Sequence, residues 1–488
     1  MARARRPGVS RAALLLAALV LAGCAAGPRE PTITISEPVA QPAPAPAPAA
    51  AAAASEHPRL VAAYGGVYND PQVERAIARA VGRLVAGSDA PSQSYRITIL
   101  NSPAVNAFAM PGGYLYVTRG LLALANDTSE VAAVLAHEMA HVTADHAVAR
   151  QRRAEAAAVV TKVAANVTQD QQVAKSAVAK SQMSLAQFSQ AQELEADAIG
   201  VRTLGRAGYD PFAAARFLNS MGQYADLKTP RRDGGQAADF LSTHPATPER
   251  INMAIRAARG IGSPGIGSQD RDVYLKSLDG MLYGDDPREG FVHGRSFLHA
   301  ELGIAFTAPA GFVLENTARA VLGTDGGTMA MRFDAVELSQ DVSLSTYLAS
   351  GWVKGLIPDS LRVTEVDGLQ AATASAIADN WSFRIAVVRE GVHVFRFIFA
   401  TANPTPAFDR AFVETTSSFR RLSAAEASAL RPLRIRIVQV RPGDTVDSLA
   451  ARMTGIAEER RRTLFLVLNG LDPGLEPVAG SYVKIVSG

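Results

Sequence analysis

Residues 135–141 read Leu135-Ala136-His137-Glu138-Met139-Ala140-His141, an H-E-x-x-H sequence inside a long run of good helix formers. Residues four apart on an α-helix stand one turn above each other, so His137 and His141 project from one face toward a single ion. Glu138 is offset by about 100° from His137 and still borders that face, within reach of a proton on a water polarised by the ion. The pattern reads as a zinc site. Zinc held this way lowers the pKa of its water to roughly 7 and polarises a carbonyl, which suits peptide hydrolysis.

Asp127 or Thr128 can cap this helix, and Glu130 follows Asp127 by three residues as in a capping box. Val131, Ala132, Val134 and Leu135 give it a face to bury. By the 100° rule His146 falls nearly opposite His137, so it is not counted as a ligand. Catalytic zinc usually takes three protein ligands. In the extended H-E-x-x-H-x-x-G-x-x-H pattern the last Gly and His would fall on Ala144 and Ala147, which excludes that class. A carboxylate from another helix is therefore required. Gln192-Glu193-Leu194-Glu195-Ala196-Asp197-Ala198 offers one: Glu193 and Asp197 share a face while Glu195 points away. Glu193 could bind zinc and Asp197 could hold a ligand histidine. Alone, these carboxylates read as a solvated face; the upstream motif favours the site.

The paired motifs resemble the zinc metallopeptidase family of BepA, HtpX and the CAAX prenyl protease, over about residues 56 to 260. The resemblance implies that Glu193, first in E-x-E-A-D, is the third ligand and that Asp197 supports a ligand from behind. Asn106-Ala107-Phe108-Ala109-Met110-Pro111-Gly112-Gly113 resembles the family's stretch beside the cleft, so Asn106, Phe108 and Ala109 are expected at a strand edge that binds extended peptide. From the residues alone a core hairpin serves equally. His244-Pro245, followed by Arg250, resembles a further family stretch whose histidine approaches the zinc. His244 would then donate to the oxyanion of the tetrahedral intermediate, or bind zinc as a fourth ligand and keep the site latent. Arg250 would assist with substrate or cap a helix.

A length of 488 residues suggests three or four domains, and a net charge of +3 argues against a dedicated nucleic-acid binder. Cys24, the only cysteine, excludes an intramolecular disulfide. Arg3, Arg5, Arg6 and Arg11 precede an apolar run from Ala12 to Ala22, the pattern of a signal peptide over residues 1–23. That run is shorter than the roughly 20 residues a membrane span needs. Leu21-Ala22-Gly23-Cys24 resembles the lipobox of bacterial lipoproteins, which implies a lipid on Cys24 and a periplasmic, membrane-anchored protein. With no aspartate at Ala25 or Ala26, the outer membrane is favoured over the inner.

Residues 24–55, rich in Pro and Ala, read as an extended linker. The peptidase domain, 56–260, opens with a helix from Pro71 to Ala86 and turns to strands at Tyr95–Leu100 and Tyr114–Thr118. Arg153–Ser189 reads as a loosely packed helical segment placed like a lid. A Gly- and Ser-rich stretch opens a linker, 261–296. A small α+β domain, 297–425, carries strand patterns but no catalytic cluster, and its expected role is substrate or partner binding. Residues 433–488 resemble a LysM module, strand-helix-helix-strand. That resemblance implies glycan binding by two loops, through Gly443, Asp444, Thr445, Asn469 and Gly470, with peptidoglycan as the polymer. The basic stretch Thr454–Arg462 departs from the pattern, so a structural role stands beside it.

The expectation is an α+β multidomain protein: a mainly helical zincin-type domain with a small sheet, a small α+β domain, and a β-α-α-β module. Its expected function is a zinc-dependent endopeptidase of the bacterial envelope, one zinc per chain, acting on unfolded or misassembled proteins and not on nucleic acid. A peptidoglycan-tethered scaffold or chaperone with a latent or structural zinc site is the alternative; a peptidoglycan hydrolase is a third.

Overall fold

The computed structural model describes residues 48–150, 152, 188–228 and 243–488. The signal peptide, Cys24, most of the 24–55 linker and nearly all of the lid segment lie outside the described residues. Helix α1, Pro48–Ala63, begins inside the stretch read as an extended linker. Its run of alanines, the best helix formers, accounts for the difference. Ala53, Leu60 and Val61 pack with Tyr114 and Tyr116 on one face of a small sheet.

Helix α2, Pro71–Gly87, is capped by Asp70 and buries Val73, Ile77, Val81 and Leu84. Strands β1 (Arg96–Leu100), β2 (Ala107–Met110) and β3 (Tyr114–Thr118) form a sheet in the order β1-β3-β2, which leaves β2 at its edge. β3 runs straight into α3, Arg119–Leu124, and then into α4, Thr128–Thr143, which carries H-E-x-x-H. Asp127 caps α4 by accepting from the Glu130 N–H at 2.8 Å. Glu130 accepts from the Asn126 N–H, one residue earlier than a capping box would have it. Helices α5 (Gln190–Arg206), α6 (Ala213–Lys228), α7 (Pro248–Arg259) and α8 (Arg271–Ser277) complete this part.

Two contacts fix α4. Arg216 of α6 holds Asp127 at 3.0 Å and Asp210 at 2.7 Å, tying down the helix start. Gly200 of α5 faces His137: a Cβ there would lie 3.3 Å from the His137 backbone nitrogen, so the missing side chain lets the helices approach.

The next part has its own cores. Strands β4 (Phe291–His293), β5 (Ser296–His299), β6 (Ile304–Thr307), β7 (Val313–Asn316), β8 (Val321–Thr324) and β9 (Met329–Glu337) lead to α9, Leu344–Ala349. Strands β10 (Arg362–Val366), β11 (Leu369–Ala378), β12 (Trp381–Glu390) and β13 (His393–Thr401) follow, then α10 (Pro406–Ser417), β14 (Arg420–Arg421) and α11 (Ala424–Ala429). A seven-stranded antiparallel sheet runs β10-β11-β12-β13-β9-β8-β7, beside a four-stranded one, β14-β6-β5-β4. Phe297, Phe306, Phe333, Phe395, Phe397 and Phe399 fill one core with Phe408 and Phe412 of α10. Leu344 and Leu348 of α9 cover the other face.

The C-terminal module comprises β15 (Arg434–Gln439), α12 (Val446–Ala450), α13 (Glu458–Asn469) and β16 (Tyr482–Ser487). It is not a separate bead. Residues 271–283, read as linker from composition, are packed instead: Tyr274, Leu275, Leu278 and Met281 share one core with Leu122, Leu135, Ile435, Phe465 and Val486. β15 pairs with this stretch, the Tyr283 N–H donating to Leu433 O at 2.8 Å and the Ile435 N–H to Met281 O at 2.8 Å. The chain thus leaves at Tyr283 and returns at Leu433, so the middle domain is an insertion into a composite of peptidase core and C-terminal module.

Fully buried Lys484 of β16 closes the seam. Its Nζ donates to Ala123 O at 2.8 Å, Leu124 O at 3.1 Å and Ala125 O at 2.7 Å, the carbonyls at the end of α3. Burial pushes its pKa down and the Glu130 and Asp127 carboxylates oppose this, while three acceptors match an ammonium's three N–H groups. This seam corrects the glycan-loop expectation at Asn469. Asn469 is buried, its amide spent on Phe465 O and on the Lys484 backbone. Gly470 lies against Asn126. Asn469 is therefore turned away from any glycan, whereas Gly470 itself stays exposed. Gly443, Asp444 and Thr445 stay outside, where Asp444 accepts from the Arg441 N–H and Thr445 caps α12. Helix α13 begins at Glu458, so much of the basic stretch is helix rather than connection. Among the described residues no helix is long and apolar enough to cross a membrane.

Candidate metal centre

Four buried side chains from three elements converge: His137 and His141 of α4, Glu193 in the first turn of α5, and His244 just before α7. His137 Nε2 and His141 Nε2 stand 3.0 Å apart, as i and i+4 on one helix allow. Glu193 lies 3.5 Å from the first and 3.6 Å from the second. Bonds of about 2.0–2.1 Å on a zinc tetrahedron put neighbouring donors about 3.3 Å apart. The donor set therefore fits a zinc ion. His244 Nδ1, at 2.9 Å from Glu193 Oε1 and 3.3 Å from His137 Nε2, belongs to the same cluster.

Behind the donors is a second set of buried groups. Asp197 Oδ1 lies 2.9 Å from His137 Nδ1, so a proton held there leaves Nε2 with its lone pair toward the cluster. Arg250 grips Asp197 with two bonds of 2.8 Å and reaches Glu193 at 2.9 Å. This corrects the reading of Arg250 as substrate-binding: its guanidinium is buried and spent on two carboxylates and Pro245 O. Burial raises the Asp197 pKa, but Arg250 and His137 outweigh it and hold it at about 2. For Glu193 burial is likewise outweighed, by His137 and His244, which hold it well below the usual carboxylate range. Burial lowers the His137 pKa, yet Asp197 and Glu193 raise it to about 9. His141 is pushed far down by burial and by the neighbouring His137 and His244. The carboxylates thus draw a positive charge into the cluster.

Glu138 is buried beside the donors. Its carboxyl accepts from the Ala109 backbone, and Oε1 lies 3.7 Å from His244 Nε2 with no hydrogen-bond partner among the described residues. Burial pushes its pKa up, toward the range of a working base. Of the three residues expected at the strand edge, only Ala109 touches this region. Asn106 bonds Tyr64 Oη at 3.1 Å, and Phe108 stacks on Tyr116 at 4.8 Å. Both side chains are committed to the α1 side of the sheet, because alternation along β2 sends them away from the face of Ala107 and Ala109.

The 100° rule misplaces His146 and Glu195. Helix α4 ends at Thr143, and Asp145 takes a left-handed φ of 52°, which swings His146 back to within 2.9 Å of His141 Nδ1. Glu195 Oε2 lies 3.4 Å from His146 Nε2. The sequence signal is weak: an aspartate, one of the few non-glycine residues that tolerate that turn, directly before the histidine.

The profile of peptidase family M48 matches residues 71–258, which hold every group of this cluster. Residues 71–258 are a peptidase family M48 domain. The beta-barrel assembly-enhancing protease of Yersinia pestis is 27% identical to the chain over 237 residues, covering 47% of the chain and 48% of that protein. The protein of the same name in Escherichia coli K12 is 27% identical over 216 residues, 42% of the chain and 43% of the relative. The mitochondrial metalloendopeptidase OMA1 of Schizosaccharomyces pombe is 31% identical over 183 residues, 36% and 50%. The chain spans about half the length or less of these relatives.

Proposed function

We propose that this protein is a zinc-dependent endopeptidase of the bacterial cell envelope. The observation that carries the proposal is the buried Glu138 Oε1, without a hydrogen-bond partner among the described residues, beside a donor set with tetrahedral spacings. His137, His141 and Glu193 would hold one zinc ion, which when bound supplies a Lewis acid for the scissile carbonyl and acidifies water. Glu138 takes a proton from the attacking water and returns it to the leaving amine. Asp197 fixes the His137 tautomer, and Arg250 holds Asp197 and Glu193 in register. The edge of the sheet at β2, beside Glu138, is where an extended peptide would pair through its main chain.

The name beta-barrel assembly-enhancing protease, borne by relatives of this domain, supports unfolded or misassembled envelope proteins as substrates. The lipobox-like Leu21–Cys24 supports a lipid on Cys24 and outer-membrane anchoring in the periplasm. The middle domain is proposed to bind substrate or a partner. Peptidoglycan tethering loses ground with Asn469 turned inward.

A latent resting state is the second reading, favoured by His244 Nδ1 standing inside the donor set as a fourth ligand. Turnover of casein by zinc-loaded protein lacking residues 1–47, which leaves α1 whole, with zinc content measured, separates the readings. Wild type is expected to cleave and Glu138→Gln to keep zinc but lose about 100-fold or more. Cleavage by His244→Ala alone would mean a latched enzyme; no cleavage by any form at full zinc would sink the peptidase reading.

A further inference from the structure

The two ligand histidines are backed differently. His137 Nδ1 meets a buried carboxylate, whereas His141 Nδ1 meets another imidazole, His146 Nδ1, at 2.9 Å. Two facing nitrogens at that distance hold one proton between them, so one must donate and the other accept. The far side of His146 decides which. Its Nε2 faces Glu195 Oε2 at 3.4 Å, and a carboxylate only accepts, so His146 carries its proton on Nε2 and offers a lone pair at Nδ1. His141 must then carry its proton on Nδ1, which turns the Nε2 lone pair toward His137 Nε2 and Glu193.

We infer that His146, set by Glu195, is the positioning residue that fixes the metal-binding tautomer and ring angle of His141. The surroundings hold His146 in place. It is buried, its backbone carbonyl accepts from Gln192 Nε2 at 3.3 Å, and Phe188 stacks on the His141 ring at 4.0 Å. Gln192 also completes the cap of α5, so the helix that brings Glu193 carries the anchor for His146. Glu195, offset from Glu193 on α5, thus acts on the neighbouring ligand.

The inference rests on the zinc reading above, and its test is zinc affinity by chelator competition on the full-length protein, with apo melting temperature as a fold control. Three replacements separate hydrogen bonding from packing. Asparagine places its Oδ1 where the histidine has Nδ1, glutamine reproduces only the Nε2 position, and phenylalanine keeps the ring alone. His146→Asn is expected to hold zinc within about threefold of wild type, whereas His146→Gln and His146→Phe weaken it about 10–100-fold. Equal affinity for all three variants, weakened or not, would overturn the inference while the zinc reading stands. Failure of the wild type to bind zinc would remove both. If His146→Phe does not fold, the Asn and Gln pair still decides.

Discussion

The composite unit and the inserted middle domain spend their buried groups in opposite ways. The composite buries His137, Glu138, His141, Glu193, Asp197, His244 and Arg250 in one place and Lys484 in another. The insertion fills its larger core with phenylalanines, and its buried carboxylates are answered by arginines close by, Asp334 by Arg332 and Arg396 and Asp286 by Arg288. Buried charge is costly unless paired, so a fold that gathers this much of it around one cluster of metal-ligand side chains gives up stability for chemistry. The insertion shows no such expenditure, in keeping with a binding or spacing role.

Variants in the two regions should respond differently to metal. Arg250→Met leaves Asp197 and Glu193 as buried carboxylates without their cation, expected to cost the apo protein about 3–5 kcal/mol. Part of that loss should return on adding zinc, read as a metal-dependent melting shift larger than wild type's. Phe397→Ala, in the insertion, should cost a similar 3–5 kcal/mol by leaving a cavity, but with no recovery on adding zinc and no change in zinc affinity. Equal rescue of both variants would erase the contrast.

Lys484→Met tests whether the seam belongs with the site. It keeps much of the volume but takes the Nζ donor from three carbonyls at the end of α3, of which Leu124 O still accepts from Asn126 Nδ2 at 3.2 Å, a cost of about 1–3 kcal/mol. Because α3 leads directly into α4, hydrogen exchange in α4 should speed up while that of β12 and β13 stays as in wild type. Faster exchange confined to residues 433–488 would show the module to be an appendage.

Much of the site was legible because it is local. His137, Glu138 and His141 lie within five residues and Glu193 and Asp197 within another five, so helical periodicity alone sorts their faces. His146 was not, because its position depends on a helix break at Ala144 and Asp145 that no periodicity announces. Lys484 was hidden for another reason: in strand alternation it reads as an outward residue, and its three acceptors lie some 360 positions earlier in the chain. The insertion was likewise illegible, since the pairing of Tyr283 with Leu433 joins segments that composition marks as a linker and a separate module. For Asn106 and Phe108 the neighbourhood was right and the facing wrong, because α1 covers a sheet face that the sequence left open to peptide.

The most direct test is to remove the insertion. Since Tyr283 and Leu433 are hydrogen-bonded neighbours, residues 285–431 can be replaced by a short Gly-Asn-Gly turn, and the shortened protein titrated with zinc. The account predicts a cooperatively folded protein that binds one zinc with affinity within about tenfold of the full chain, because no donor or supporting group lies in the excised part. A shortened protein that folds but no longer holds zinc would contradict it, since the site would then depend on the middle domain.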